Sequence, residues 1–122
     1  LDALEASKEL DNTYVIFTSD NGGGFSRRDE AGRRFNGPLQ EGKRSTFEGG
    51  LRVPFVVSGP GIKPGSQCDE PVVQLDLLPT LHDLSGSSLQ LPPGVDGGSL
   101  RDVFERGNAG SVRRAAPGLV RR

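Results

Sequence analysis

Residues 13–18, Thr13-Tyr14-Val15-Ile16-Phe17-Thr18, are all β-branched or aromatic, do not alternate with polar residues, and run straight into Ser19-Asp20-Asn21-Gly22-Gly23-Gly24. Such a run predicts a strand buried on both faces, the condition of an inner strand in a parallel sheet covered by helices. The polar stretch that follows reaches Gly42 and predicts a long loop. Its glycine-rich beginning sits at the carboxyl end of the strand, where open α/β sheets place their ligands.

The rest of the chain fits an α/β class. Leu1, Leu4 and Leu10 lie among good helix formers and suit the last turns of an amphipathic helix, ended by Asp11-Asn12. Val53-Pro54-Phe55-Val56-Val57 is a second buried-strand candidate, closed by the turn Ser58-Gly59-Pro60-Gly61, with Pro54 at the strand's start or at a bulge. In residues 72–84, Leu75, Leu78 and Leu81 fall on one side of a helix that stops at Ser85-Gly86. Its regular part is expected to begin near Asp76, with Pro79 in the first turn, because proline has no amide to donate. Residues 99–106 predict a short helix held by Leu100, Val103 and Phe104. With 18 glycines, 9 prolines and only 33% hydrophobic residues, the chain is expected to be loop-rich with a thin core. The expected organisation is a structured part over 1–106 and a flexible basic tail over 107–122, which carries Arg113, Arg114, Arg121 and Arg122.

Fifteen Lys and Arg against 16 Asp and Glu give no bulk electrostatic reason to expect nucleic acid as a partner, and salt-sensitive binding through the arginine pairs ranks last among the readings. No apolar run is long enough for a membrane span, and no signal peptide is visible. The chain begins at Leu1 and holds no methionine, so it is expected to be a piece of something longer. The single Cys68 has no basic or histidine neighbour in sequence and predicts an inert, buried or half-buried loop thiol. His82 lies on a leucine-rich helix without a carboxylate or cysteine partner in view, which predicts packing or surface exposure rather than catalysis.

Asp20 and Asn21 offer a carboxylate and an amide carbonyl, both hard oxygen donors suited to Ca²⁺ or Mg²⁺. Adjacent residues of a straight strand point to opposite sides, and the following glycines permit a bend that turns both toward one ion. Asp-Asn-Gly also suits a plain turn or helix cap.

A second segment follows, Gly42-Lys43-Arg44-Ser45-Thr46-Phe47-Glu48-Gly49-Gly50-Leu51-Arg52-Val53-Pro54. Together the two segments resemble the sulfatase family, whose domain carries strand-TSDNG-loop and then G-K-x-x-x-x-E-G-G-x-R-V-P before a strand. Val72-Val73-Gln74-Leu75-Asp76-Leu77-Leu78-Pro79-Thr80-Leu81 is similar to the V-x-x-x-D-L-x-P-T-L helix that comes next, and Asp96-Gly97-Gly98-Ser99-Leu100 to the later D-G-x-S-L step. The resemblance spans residues 1–104 and implies an alkaline-phosphatase-like fold, here a partial mixed or parallel sheet flanked by helices.

The resemblance also implies a metal-dependent hydrolase of sulfate esters, acting on a sulfated small molecule or carbohydrate. It makes Asp20 and Asn21 metal ligands, for Ca²⁺ with Mg²⁺ as the alternative. It makes Lys43 the catalytic and substrate-binding cation, contacting sulfate and stabilising charge on the leaving oxygen. Glu48 and Arg52 are expected to form an internal pair that holds the Gly49-Gly50 turn. The family's nucleophile is a formylglycine made from Cys or Ser in C/S-x-P-S/A-R, expected in a segment upstream of Leu1. No such motif occurs here: Cys68-Asp69-Glu70-Pro71 has its proline one place late and no arginine after it. The paired N-terminal aspartates that complete the family's metal shell are missing too. By itself the chain is therefore expected to be inactive and a poor metal binder, because a hard divalent ion takes roughly six oxygens or more. A periplasmic or secreted location is consistent with the resemblance. A phosphodiesterase or phosphonate hydrolase of the same superfamily, or a non-catalytic remnant, are the rival readings.

Overall fold

The computed structural model describes residues 1–24 and 35–112, which fall into two compact units, Leu1–Pro60 and Gly61–Arg122. In the first, α1 (Asp2–Ala6) and a 3-10 turn (Leu10–Asn12) lead into β1 (Val15–Thr18). A long connection that includes the single-turn helix α2 (Glu48–Leu51) then leads to β2 (Phe55–Ser58). In the second unit a 3-10 turn (Gln74–Asp76) runs into α3 (Leu77–Leu84), followed by α4 (Arg101–Arg106) and a last 3-10 turn (Gly107–Ala109). The class is mixed α and β. Residues 113–122 of the expected basic tail lie outside the described residues.

The two strands pair antiparallel, with Ile16 opposite Val57 and Phe17 opposite Val56. This corrects the expectation of a parallel sheet with both faces covered. Side chains alternate across a strand, and here one face, with Ile16, Thr18, Phe55 and Val57, is half-buried, whereas Phe17 and Val56 on the other are 66% and 59% exposed. The sheet has only two strands among the described residues, so nothing described there covers the second face. The Tyr14 hydroxyl donates to the Pro60 carbonyl at 2.9 Å and fastens the ends of the pair.

Side-chain burial in the second unit centres on Leu100, Val103 and Phe104, the three residues expected to hold α4. Burying each contributes about 1.5–3 kcal/mol. The start of α3 is also as expected, with Asp76 immediately before it and Pro79 in its first turn. Its buried face is not. Leu75, Leu78 and Leu81 are 65%, 54% and 51% exposed, and the fully buried residues are Asp76 and Thr80.

Hydrogen bonding explains the exchange. The Asp76 carboxylate accepts the Val73 amide at 2.9 Å through Oδ2 and the Gly98 amide at 3.0 Å through Oδ1. Thr80 Oγ1 donates to the Asp76 carbonyl and accepts the Leu100 amide at 2.9 Å. A Cβ on Gly97 would run into the Leu75 carbonyl, so the two segments meet main chain to main chain. A buried carboxylate is tolerated when its oxygens are satisfied in this way.

Ser99 Oγ donates to Asp83 Oδ2 at 2.7 Å, and Arg101 Nη1 lies 3.3 Å from Oδ1. The Ser99 hydrogen bond, with Arg101 adding to it against the opposing effect of burial, holds the Asp83 carboxyl below its usual range. Cys68 is exposed, not the buried or half-buried thiol the sequence predicts, because its loop has no apolar layer over it.

Candidate metal and sulfate site

At the carboxyl end of β1 the chain bends sharply, and the Ser19 hydroxyl donates to the Asn21 carbonyl at 2.8 Å across the bend. Asp20 is exposed and makes no hydrogen bond or ion pair among the described residues. Asn21 is half-buried, and its Oδ1 is fully covered without a hydrogen-bond partner, as is Thr18 Oγ1 three residues earlier. An orphaned buried oxygen is uncommon and calls for a specific explanation. A hard cation is one, because the carboxylate of Asp20 and the carbonyl of Asn21 are the donor types it takes. Among the described residues no three His, Cys, Asp or Glu side chains converge on a common point.

The glycines after Asn21 are not left-handed: neither Gly22 nor Gly23 has positive φ. Close approach explains them instead. Gly22 donates to the Gly50 carbonyl at 3.0 Å, and a Cβ on Gly22 would collide with the Gly49 carbonyl oxygen. On the facing loop Gly49 donates to Gln40 at 2.8 Å, and a Cβ there would meet the carbonyls of Gln40 and Glu41. Gly42, Gly49 and Gly50 are the buried ones among the described residues of this unit, so the best-protected interior described there is main chain rather than side chain.

This docking carries Lys43. Its amide donates to the Gly23 carbonyl at 3.0 Å, two residues beyond Asn21. Lys43 is exposed, its ammonium has no ion pair among the described residues, and it sits between two left-handed non-glycine residues, Glu41 at φ 60° and Arg44 at φ 76°. Such backbone persists only where the surroundings over-determine it. The main chain of Lys43 is thus joined to Gly23, two residues after Asn21, while the carboxylate of Asp20 and the ammonium of Lys43 make no ion pair among the described residues.

An open cleft of about 480 Å³ lies alongside, walled by Asn21, Gly22, Phe35, Asn36, Leu39 and Arg52 among others. Asn36, which no sequence motif marked, is its best-bonded side chain. Oδ1 accepts the Gly23 amide at 2.7 Å, and Nδ2 donates to the carbonyls of Gly23 at 2.8 Å and Glu41 at 3.0 Å. Glu48 and Arg52 approach only to 3.8 Å and are largely exposed, so this pair contributes little and the loop is held by its backbone contacts instead. His82 Nε2 lies 2.6 Å from the Leu89 carbonyl, which makes it a donor in a loop staple.

A family model described as Sulfatase matches residues 1–87. The choline-sulfatase of Rhizobium meliloti (strain 1021) is 41% identical over 121 residues, 98% of this chain and 20% of that protein. The steryl-sulfatase of Rattus norvegicus is 39% identical over 97 residues, 76% of this chain and 17% of its own length. Of the solved structures, Ps i-CgsB in complex with k-i-k-neocarrahexaose superposes with a TM-score of 0.74 at 38% identity, over 84% of this chain and 22% of its own. BT4656 in complex with its substrate D-glucosamine-2-N,6-O-disulfate does so with 0.67 at 28% identity, over 93% and 20%. The chain thus spans about a fifth of the length of these relatives. With the family model covering well over half of it and the strand-turn and glycine-loop segments docked as described, the chain belongs to the sulfatase family.

Proposed function

We propose that this chain supplies the metal-binding turn and the sulfate-contacting lysine of a sulfate-ester hydrolase. Asp20 and Asn21 hold a divalent cation, Ca²⁺ with Mg²⁺ as the alternative, both hard ions that take oxygen donors. When bound, the cation polarises the oxygens of the sulfate ester. The Lys43 ammonium binds the sulfate group and offsets negative charge on the leaving oxygen. The nucleophile, a formylglycine in this reading, comes from a segment that this sequence does not contain. The observation that carries the proposal is the Lys43 amide held on the Gly23 carbonyl, two residues after Asn21, whose Oδ1 is buried without a hydrogen-bond partner.

Sulfated small molecules or carbohydrates are the substrate class. Support comes from the names of the relatives, which refer to choline and steryl sulfates, and from a related structure with a bound disulfated glucosamine.

Thermal unfolding in calcium chloride and in magnesium chloride, of this chain and of a longer protein that adds the upstream nucleophile and aspartate segment, tests the site. Calcium is expected to raise the midpoint of the longer protein and not that of its Asp20→Ala variant, since a ligand that binds only the folded state stabilises it. An equal rise with and without Asp20, or no rise in either the chain or the longer protein, removes the assignment.

A further inference from the structure

We propose that Asn36 is a positioning residue that sets Lys43 in place relative to the Asp20-Asn21 turn; this rests on the reading of those three residues as a metal and sulfate site. The carboxamide of Asn36 pairs with both polar groups of Gly23, accepting its amide at 2.7 Å and donating to its carbonyl at 2.8 Å. It therefore caps the turn as a neighbouring strand would. Its second N–H reaches the Glu41 carbonyl at 3.0 Å, on the far side of buried Gly42 from Lys43. The orientation of the amide is fixed by its partners, because flipping it would set an NH₂ group against the Gly23 N–H and an oxygen against two carbonyls.

Gly23 is the meeting point. Its carbonyl accepts from Asn36 and from the Lys43 amide at once, so a shift in one partner moves the other. A Cβ on Gly23 would lie 2.9 Å from Asn36 Oδ1, so glycine is what lets the carboxamide come this close. The left-handed Glu41 needs an external anchor to hold its conformation, and Asn36 supplies it. One side chain thus bonds the metal-side turn and the lysine-side loop together without itself reaching either ligand.

Amide hydrogen exchange of the 122-residue chain, read by NMR, tests this. In Asn36→Ala the Gly23 and Lys43 amides are expected to lose about tenfold or more of their protection, while the amides of β1 and β2 keep theirs. In Asn36→Asp the carboxylate still accepts the Gly23 amide but has no hydrogen for either carbonyl, so Lys43 loses protection and Gly23 retains it. Unchanged exchange at Lys43 in Asn36→Ala overturns the proposal, and so does an equal loss across the sheet, which marks general destabilisation. Calcium chloride separates this result from the site reading. If calcium fails to stabilise both this chain and the longer protein with the upstream segment, the metal assignment fails, and the exchange pattern of the 122-residue chain still decides the role of Asn36.

Discussion

Gly22 and Gly49 stand so close that the carbonyl oxygen of Gly49 occupies the place where a side chain on Gly22 would begin. The strand-end turn and the lysine loop are therefore joined by main chain, with the Gly22 amide on the Gly50 carbonyl closing the contact.

Replacing Gly49 by alanine forces a methyl group against the carbonyls of Gln40 and Glu41. Overpacking of this kind costs about 1–3 kcal/mol. Urea unfolding followed by the fluorescence of Tyr14, the sole tyrosine in a chain without tryptophan, reports on this unit. Its midpoint is expected to fall accordingly.

Lys43→Ala removes an exposed ammonium that makes no ion pair among the described residues. Stability is expected to change by less than about 0.5 kcal/mol. In an active sulfatase carrying this segment, turnover is expected to drop by about 10²–10³-fold, the scale of losing one charge-stabilising donor. Turnover within twofold of the natural enzyme contradicts the role given to Lys43.

Asp76→Ala strands the buried amide of Gly98 and takes the acceptor from the part-buried amide of Val73. An unsatisfied buried donor costs about 1–3 kcal/mol, so the second unit is expected to lose about 2 kcal/mol. Asp76→Asn keeps one acceptor and sets an NH₂ group against the other amide, and it is expected to fall between alanine and the natural residue. Far-ultraviolet circular dichroism during thermal unfolding ranks the three proteins.

The Asp83 carboxyl is held below its usual range, first by the Ser99 hydroxyl and then by Arg101. A carboxyl with a lowered folded-state pKa contributes stability above its unfolded value, near pH 4, and loses it as pH falls through the lower folded value. The midpoint difference between the natural chain and Asp83→Asn is expected to be constant at neutral pH and to shrink below about pH 4. The effect is small because the side chain is 41% exposed.

How much of this was legible in the sequence depended on which force placed each residue. Leu100, Val103 and Phe104 are buried by hydrophobicity, and their spacing announced it. Pro79 was placed by its missing amide, which is a local rule. The face of α3 was misjudged because periodicity counts apolar residues, whereas Asp76 and Thr80 are drawn inward by amides more than 15 residues further along the chain. Asp20, Asn21 and Lys43 stood out through motif order. Asn36, in Asn36-Gly37-Pro38, reads locally as an ordinary turn, and its three bonds reach Gly23 and Glu41 in ways no spacing rule encodes. The antiparallel pairing escaped notice because an unbroken apolar run carries no sign of strand direction.

A seam made of amides and carbonyls places no demand on the identity of the side chains around it. Thr46 and Leu51 sit exposed at its rim, so evolutionary drift or a chemist's tag can alter them while the anchor beneath stays put. Thr46 in particular offers a handle for a reporter dye on the lysine loop, placed where it reads that loop's motion without disturbing the packing that holds it.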